Sequence, residues 1–370
     1  MPGPKTVISS PAKTMSSTTS TQALDHAGRN LSGYGRSPPA AQWPNNARIA
    51  ISFVLNYEEG GEHTLLNGDA HSEAFLTEGG ATAGSRAHRN LGTESGYEYG
   101  SHRGFWRILD LFKRNGMVFT SWAIGRAVEL NPQVVPAMLE AGGEVASHSD
   151  RWIDYYDMPE EEERKHVNMT IDAIDKASAG KKPMGWYTGR QSLQTRRIVY
   201  EEYRRRGLQD RLYDSDACEC CRSWPLLFIR AMLTVRIHTP ADDEDLPYWV
   251  PCPSPSTTLP SPPLLVIPYT LDNNDMKFAQ APGFNLSSAF FEYLKDAFDA
   301  LYAEGEQGSP KMMSIGLHCR VVGRPGRFVG LQKFMEYVKS KEGVWAATRE
   351  QIAEHWRKTH PPTDDNILEA

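Results

Sequence analysis

Two adjacent carboxylates, Glu58 and Glu59, stand just beyond Tyr57 after a short, apolar, β-rich run, Arg48–Asn56 (RIAISFVLN). Two histidines, His148 and His318, close two later runs of the same kind, Glu144–His148 and Lys311–His318. Neighbouring carboxylates favour a shared proton, which raises the pKa of one of them into the range a general base needs. A histidine can donate or accept a proton near neutral pH. A lone Glu-Glu pair is ordinarily a solvated loop, and a lone histidine a satisfied core residue. Three such groups at three strand ends point instead to a site, because parallel barrels build their active face from the C-terminal ends of strands.

The elements that must position these groups alternate strand and helix. A helical pattern over His102–Arg114 stops at Gly116, ahead of a strand Met117–Ile124. Asn131-Pro132 opens a helix that closes at Gly142-Gly143. Pro159 starts an acidic amphipathic helix to about Ala177, and Ser287-Ser288 open another over Ala289–Ala303, ended by Gly305. A helix Phe328–Lys339 and a strand Val344–Thr348 follow. Such alternation implies parallel strands joined by right-handed crossovers. No glycine-rich nucleotide loop follows the first strand, so a closed or partly open barrel is expected rather than an open sheet.

The 370 residues are 40% hydrophobic and 23% charged with a formal net charge of −6, an ordinary globular composition with no basic footprint for nucleic acid or anionic membrane. No stretch is apolar enough to span a bilayer. Residues 1–44 are rich in Ser, Thr, Pro, Ala and Gly without a signal-like apolar core, and are expected to form a disordered leader. Asp25 and the scarcity of early arginine argue against a transit peptide. Cys218, Cys220, Cys221, Cys252 and Cys319 have neither zinc-site spacing nor a paired disulfide framework, which favours a reducing, cytoplasmic setting.

The carboxylate pair after the first strand, the His-Ser after a later one and the Leu-His near the C-terminus resemble NodB-type polysaccharide-deacetylase motifs. They stand here as Tyr57-Glu58-Glu59-Gly60, His148-Ser149-Asp150-Arg151-Trp152 and Leu317-His318. Longer stretches are similar to the metal-independent allantoinases of bacterial urate catabolism (PuuE type): NYEEGGE (56–62), YEYGSHRGFW (97–106), GWYTGR (185–190), YDSD (213–216), LPYWV (246–250), IPYTLDNNDMKF (267–278) and GLHCRVVGRPGR (316–327). Related fungal chains carry the label chitin deacetylase. The resemblance implies an α/β chain folded as an irregular (β/α) barrel of the NodB type. It runs from about Pro44 to Pro361, giving a single catalytic domain over 45–361 and a tail over 362–370.

The metal-dependent members of that superfamily use an Asp-Asp pair and two histidines, one Asp and both His binding zinc. Here the pair is Glu58-Glu59, and Trp152 stands where the second histidine belongs. Only Glu59 and His148 remain as ligands for a metal, and a catalytic zinc takes three protein ligands. No cofactor is therefore expected, zinc being required only if the chain is a deacetylase. The resemblance implies a hydrolase of non-peptide C–N bonds that opens the hydantoin ring of allantoin to allantoate, a step of purine catabolism. The alternatives are a chitin or other polysaccharide N-deacetylase of carbohydrate metabolism and an inactive binding relative. Expulsion of a weakly basic ureide nitrogen needs less Lewis-acid help than expulsion of an amine.

In this assignment Glu58 activates water, with Glu59 the close competitor, and His318 protonates the departing nitrogen. His148 and Glu59 hold the water or the carbonyl oxygen. Arg190 forms a bidentate pair with the developing carboxylate, and Asp214 or Asp216 orients Arg190 or a ring N–H. For Arg190 and Asp214 a structural ion pair is an equal expectation. Arg320 and Arg324 are further substrate contacts. Tyr57, Trp152, Tyr187, Tyr248 and Trp249 wall the pocket. The partner implied is a small ureide, with no nucleic acid and no membrane, and homo-oligomerisation is left open.

Residues 218–263 break the alternation as an irregular insertion. Cys218-Glu219-Cys220 can be encoded with GTGAGT, a consensus 5′ splice site, Leu233-Thr234 with a branch-point sequence, and Pro240-Ala241 with a terminal CAG. Residues 218–240 thus read as a translated small intron or, with equal weight, as a genuine surface insertion, which loops tolerate well. If the former, the transcript carries a shorter frame in which Ala217 is followed by one residue and then Asp242, and the shortened protein is the more stable. An uninterrupted coding transcript, or equal melting of the two chains, overturns that reading.

Overall fold

The computed structural model describes residues 32–78, 87–216, 243–256, 258, 261–280 and 283–368. Its axis is β1 (Ile49–Tyr57), nine residues buried without exception. That explains a continuous apolar run in place of the alternation of a half-exposed strand. The other strands are β2 (Thr120–Ala123), β3 (Glu144–Ser147), β4 (Gly185–Trp186), β5 (Tyr213–Asp214), β6 (Tyr248–Val250), β7 (Leu264–Val266), β8 (Lys311–His318) and β9 (Val344–Ala346). The sheet order is β6-β7-β5-β4-β3-β2-β1-β8, with β9 added to the start of β1. Every pairing between named strands is parallel except β6 with β7.

Around the sheet lie α1 (Leu91–Tyr99), α2 (Phe105–Asn115), α3 (Gly125–Leu130), α4 (Val134–Glu140), α5 (Glu160–Ala177), α6 (Thr195–Arg205), α7 (Ser287–Glu306), α8 (Pro325–Lys339) and α9 (Arg349–Thr359). Their sequences explain their limits. In α2, Phe105, Ile108, Leu109 and Phe112 recur at helical spacing and are buried, and Gly116 ends the helix with φ 62°. Four glutamates, 160–163, complement the positive end of α5. Thr348 and Gln351 form a reciprocal cap on α9.

The barrel is completed by irregular chain. After β7, the Ile267 amide donates to Asp214 O, and the chain then crosses to the far edge of β8, where Asn273 O accepts from the Gly316 amide. Beneath this crossing Arg349, wholly buried, donates to Ser314 Oγ, Ser215 Oγ and the carbonyls of Ile267 and Pro268. The result is the partly open, curled barrel expected for the NodB type.

Several expectations need adjustment. The helix foreseen from His102 is preceded by a wider turn at Gly100–Gly104, and α7 runs through Gly305 to Glu306. Strands β4, β5 and β7 span two or three residues, too few to leave a periodic signal. Residues 1–31 and 218–240 lie outside the described residues. The last part of the leader is built into the fold: Ala41 and Trp43 are buried, and the Trp43 indole N–H donates to Lys311 O at 3.0 Å. The tail likewise pairs, Ile367 bridging Trp249. The second half of the insertion supplies β6.

Trp43 lies against Trp345 and Trp356 at centroid distances of 5.6 and 5.9 Å. Trp43→Ala should cost about 3–5 kcal/mol, the range for deleting a large buried aromatic, measured by urea denaturation. A loss below about 1 kcal/mol would mean that the chain before β1 is not part of the stable core.

Candidate active site

Glu58 and Glu59 follow β1, His148 follows β3 and His318 ends β8, so all four stand at C-terminal strand ends. The pairing of β1 with β8 sets Asn56 opposite His318, which brings the following carboxylate within reach of that imidazole. Glu58 is 1% exposed. Its Oε1 lies 3.2 Å from His148 Nε2 and 3.5 Å from His318 Nε2, and its Oε2 accepts from Arg320 Nη1 at 2.7 Å. Burial alone would raise its proton affinity. The Arg320 guanidinium, His318 and the hydrogen bonds from both imidazoles overcome that, holding Glu58 well below the usual carboxylate range.

His318 is held from behind. Its Nδ1 lies 2.6 Å from Asp275 Oδ1, and its backbone amide donates to Asp275 Oδ2 at 2.8 Å. Burial disfavours the imidazolium, but Glu58 and Asp275 together push its pKa up to about 9. His318 is thus a charged acid at neutral pH, its Nε2 directed at Glu58. His148 rests against the Tyr187 ring at 4.8 Å, with Nδ1 3.2 Å from Tyr187 O. Both of its ring nitrogens therefore face oxygen acceptors.

Glu58, His148 and His318 open onto one narrow crevice walled by Tyr187, Tyr269, Leu76, Leu271, Met276 and two asparagines, Asn56 and Asn274. Glu59 does not line it. One Glu59 oxygen accepts from the Glu58 amide at 3.0 Å, and the other, 3.8 Å from Arg320 Nη1, has no hydrogen-bond partner among the described residues. A methyl group at Gly100 would stand 2.3 Å from that oxygen, so only glycine leaves room there. Burial and the neighbouring Glu58 charge, against Arg320, raise Glu59 to about 7.

Glu58, His148, His318 and Tyr187 therefore line one crevice, with Glu59 packed behind it, and other expected residues do not. Asp214 takes Arg196, at 2.5 Å from Nε, rather than Arg190, and Asp216 accepts from the Thr188 and Gly189 amides. Arg190 pairs with Glu73 at 3.3 Å and lies over Trp152 at 4.0 Å. Trp249 does not line the crevice and donates to His360 O, because β6 lies at the far end of the sheet; Tyr248 packs in a different core cluster. Tyr57 is core, its hydroxyl on Ser101 and Asn131. Asp275 went unassigned from sequence, although its motif stood out: an Asn-Asn-Asp turn carries no mark of which distant histidine it will meet. Arg320 was expected on substrate, whereas one of its donors is taken by Glu58.

The donor set does not fit a three-ligand zinc site. His148 Nε2 faces Glu58 rather than Glu59, and Trp152 fills the second-histidine position with its ring under Arg190 and Arg320. Among the described residues no three His, Cys, Asp or Glu side chains gather in a metal-holding group. The positive charge facing Glu58 comes from Arg320 and His318.

A Schizosaccharomyces pombe protein named by family as a polysaccharide deacetylase is 51% identical over 338 residues, covering 90% of this chain and 98% of its own. The chain belongs to the polysaccharide deacetylase family. The profile "Polysaccharide deacetylase" matches residues 94–207 directly. Among solved structures, one from Pseudomonas aeruginosa PAO1, also named by family as a polysaccharide deacetylase, superposes with TM-score 0.77 at 46% identity, covering 90% of this chain and 99% of that one. The PuuE allantoinase structure does so with TM-score 0.78 at 49% identity, over 90% and 99%. A Mycobacterium smegmatis structure, 21% identical over 90% and 98% with TM-score 0.65, shares the fold. Among the described residues no helix is long and apolar enough to cross a membrane.

The His318 pKa gives a direct test. A value raised to about 9 means that the imidazolium contributes stability fully below the ordinary histidine value of about 6.5, a contribution lost as pH rises through about 9. Asp275→Asn removes one of the two carboxylates that raise it, so the midpoint of the His318 resonances in an NMR titration should move toward neutrality. An unmoved midpoint would show that Asp275 does not govern the charge.

Proposed function

We propose that this member of the family is a hydrolase that opens a cyclic ureide at a ring amide, with allantoin as substrate and allantoate as product, and that it works without a metal. What carries this reading is the pair of fixed cations on Glu58, Arg320 and the His318 imidazolium, beside a tryptophan at a metal-ligand position. The 49% identity to the PuuE allantoinase supports the choice of substrate.

The chemistry balances with the groups present. Water adds to the ring carbonyl carbon as its proton passes to Glu58. The C–N bond then breaks as His318 Nε2 gives its proton to the departing ring nitrogen. A carboxylate held low is a weak base at rest; its proton affinity rises once His318 has lost its charge, because the two groups titrate against one another, so the proton stays on Glu58 while the C–N bond breaks. The 3.5 Å approach of Glu58 Oε1 to His318 Nε2 then lets the proton return, which resets both groups while the new carboxylic acid loses its own proton to solvent.

Polysaccharide N-deacetylation is the second reading, favoured by the names of the fungal and Pseudomonas relatives. A panel of allantoin, hydantoin and chitooligosaccharides, assayed before and after exhaustive chelation, separates the two. Allantoate formation that survives chelation is expected. Acetate release from chitooligosaccharide, lost on chelation and restored by zinc, would replace this reading with the other. Glu58→Gln and His318→Ala should each lower kcat by about 10²–10⁴, the contribution of a positioned acid or base, with far smaller changes in KM. Near-normal turnover in either variant removes that residue from the mechanism.

A further inference from the structure

Arg320 is 4% exposed, yet only its Nη1 makes a hydrogen bond; Nε and Nη2 have no partner among the described residues. Those two nitrogens form one edge of the guanidinium, the parallel pair of N–H donors that matches the two oxygens of a carboxylate. The group cannot turn away to find water. Its central carbon lies 4.2 Å from the Tyr97 ring centroid and 4.9 Å from that of Trp152, and Glu58 holds the third nitrogen. A buried, rigid donor pair without an acceptor is costly to keep, and such groups ordinarily have a ligand or water to serve.

Arg320 also lines a second, larger cavity of about 500 Å³ between α1 and the 319–327 segment. Leu76, which adopts φ 51° (uncommon for a bulky residue), borders both this cavity and the catalytic crevice. Arg320 joins them too: its Nη1 donates to the crevice carboxylate Glu58, and the residue is among those that wall the outer cavity. That wall carries Arg324 and Arg327 at the positive end of α8, partly offset by Glu78, which pairs with Arg327 at 2.8 Å. Arg190, the arginine expected to hold a carboxylate, is engaged with Glu73 and lines neither space.

We propose that the outer cavity is a carboxylate subsite built on the free edge of Arg320, which holds the acid that ring opening releases, with the remainder of that molecule lying toward Arg324. This rests on the ureide-hydrolase reading for the identity of the acid, but the subsite can be tested by binding alone. Arg320 would then serve two carboxylates at once, the protein's and the product's, which makes it a specificity residue for cyclic amides, whose cleavage leaves the new acid and the freed nitrogen on one molecule.

The test is calorimetric titration with hydantoate, the ring-opened form of hydantoin, of the full chain and of Arg320→Lys, Glu58→Gln and the double variant. Lysine keeps the charge but loses the paired donors, so hydantoate affinity should fall at least about tenfold in Arg320→Lys. The same loss should appear in the Glu58→Gln background, where the carboxylate hydrogen-bonded to Arg320 is gone. A loss that vanishes in that background would mean that Arg320 acts only through Glu58, overturning the subsite. Affinity unchanged by Arg320→Lys in both backgrounds would overturn it as well. Melting of each variant, followed by circular dichroism, identifies a loss due to unfolding; in that event Tyr97→Phe and Arg324→Gln, in the walls of the same cavity, must weaken hydantoate or the proposal fails. If allantoin is not hydrolysed yet hydantoate binds in an Arg320-dependent way, the function is wrong and the subsite stands.

Discussion

The buried charge of Glu58 is the constraint from which the rest of the site follows. An ionised carboxylate removed from water is costly unless it is paired and hydrogen-bonded. Here it is met on one oxygen by two imidazoles and on the other by a guanidinium. Glu58 follows β1, and these partners come from the ends of β3 and β8 and the segment after β8, so the charge is tolerable only when the barrel is assembled. The long β1–β8 pairing does most of this, since eight consecutive residues are in register. A slip of one residue would turn His318 to the other face of the sheet and leave Glu58 with less than it needs.

The same reasoning extends outward. His318 can stay charged in a buried place because Asp275 accepts from both its ring and its amide. Asp275 arrives on the irregular chain that closes the barrel between β7 and β8, and Arg349 holds the carbonyls at the start of that chain. Arg349 is itself fully buried, and burial lowers its proton affinity; among the described residues it bonds to hydroxyls and carbonyls and has no carboxylate partner. Its place beneath the crossing gives it a role in the shape of the barrel rather than in its charge balance. Closure of the fold and protonation of the acid are thus one structural event.

On the proposed reading, the exchange of a histidine for Trp152 trades a labile cation for a permanent one. A zinc ion would bring Lewis acidity and its own coordination demands. Arg320, packed against Tyr97 and Trp152, brings a fixed planar charge that neither dissociates nor polarises a carbonyl as strongly. Such a site suits a leaving group that needs little activation, and a ureide nitrogen is one.

Much of this protein was legible in its sequence because much of it is local. Glu58, His148 and His318 stood at the ends of runs whose composition already marked them as buried strands, and a parallel barrel puts such ends on one face. Gly116, the glutamates of α5 and the long strands β1 and β8 likewise follow from short-range rules of capping and burial. What the sequence could not decide was pairing between distant side chains. Asp214 and Asp275 look equivalent along the chain, yet one meets Arg196 and the other His318. Arg190 was expected on a carboxylate and Arg320 only as a further substrate contact, and Trp249 looked as fit for the pocket as Trp152. Charge and aromaticity belong to a residue type, but the partner that uses them is chosen by three-dimensional proximity. Here that proximity is set by a register, a crossing loop and a glycine at 100 that lets Glu59 pack behind its neighbour.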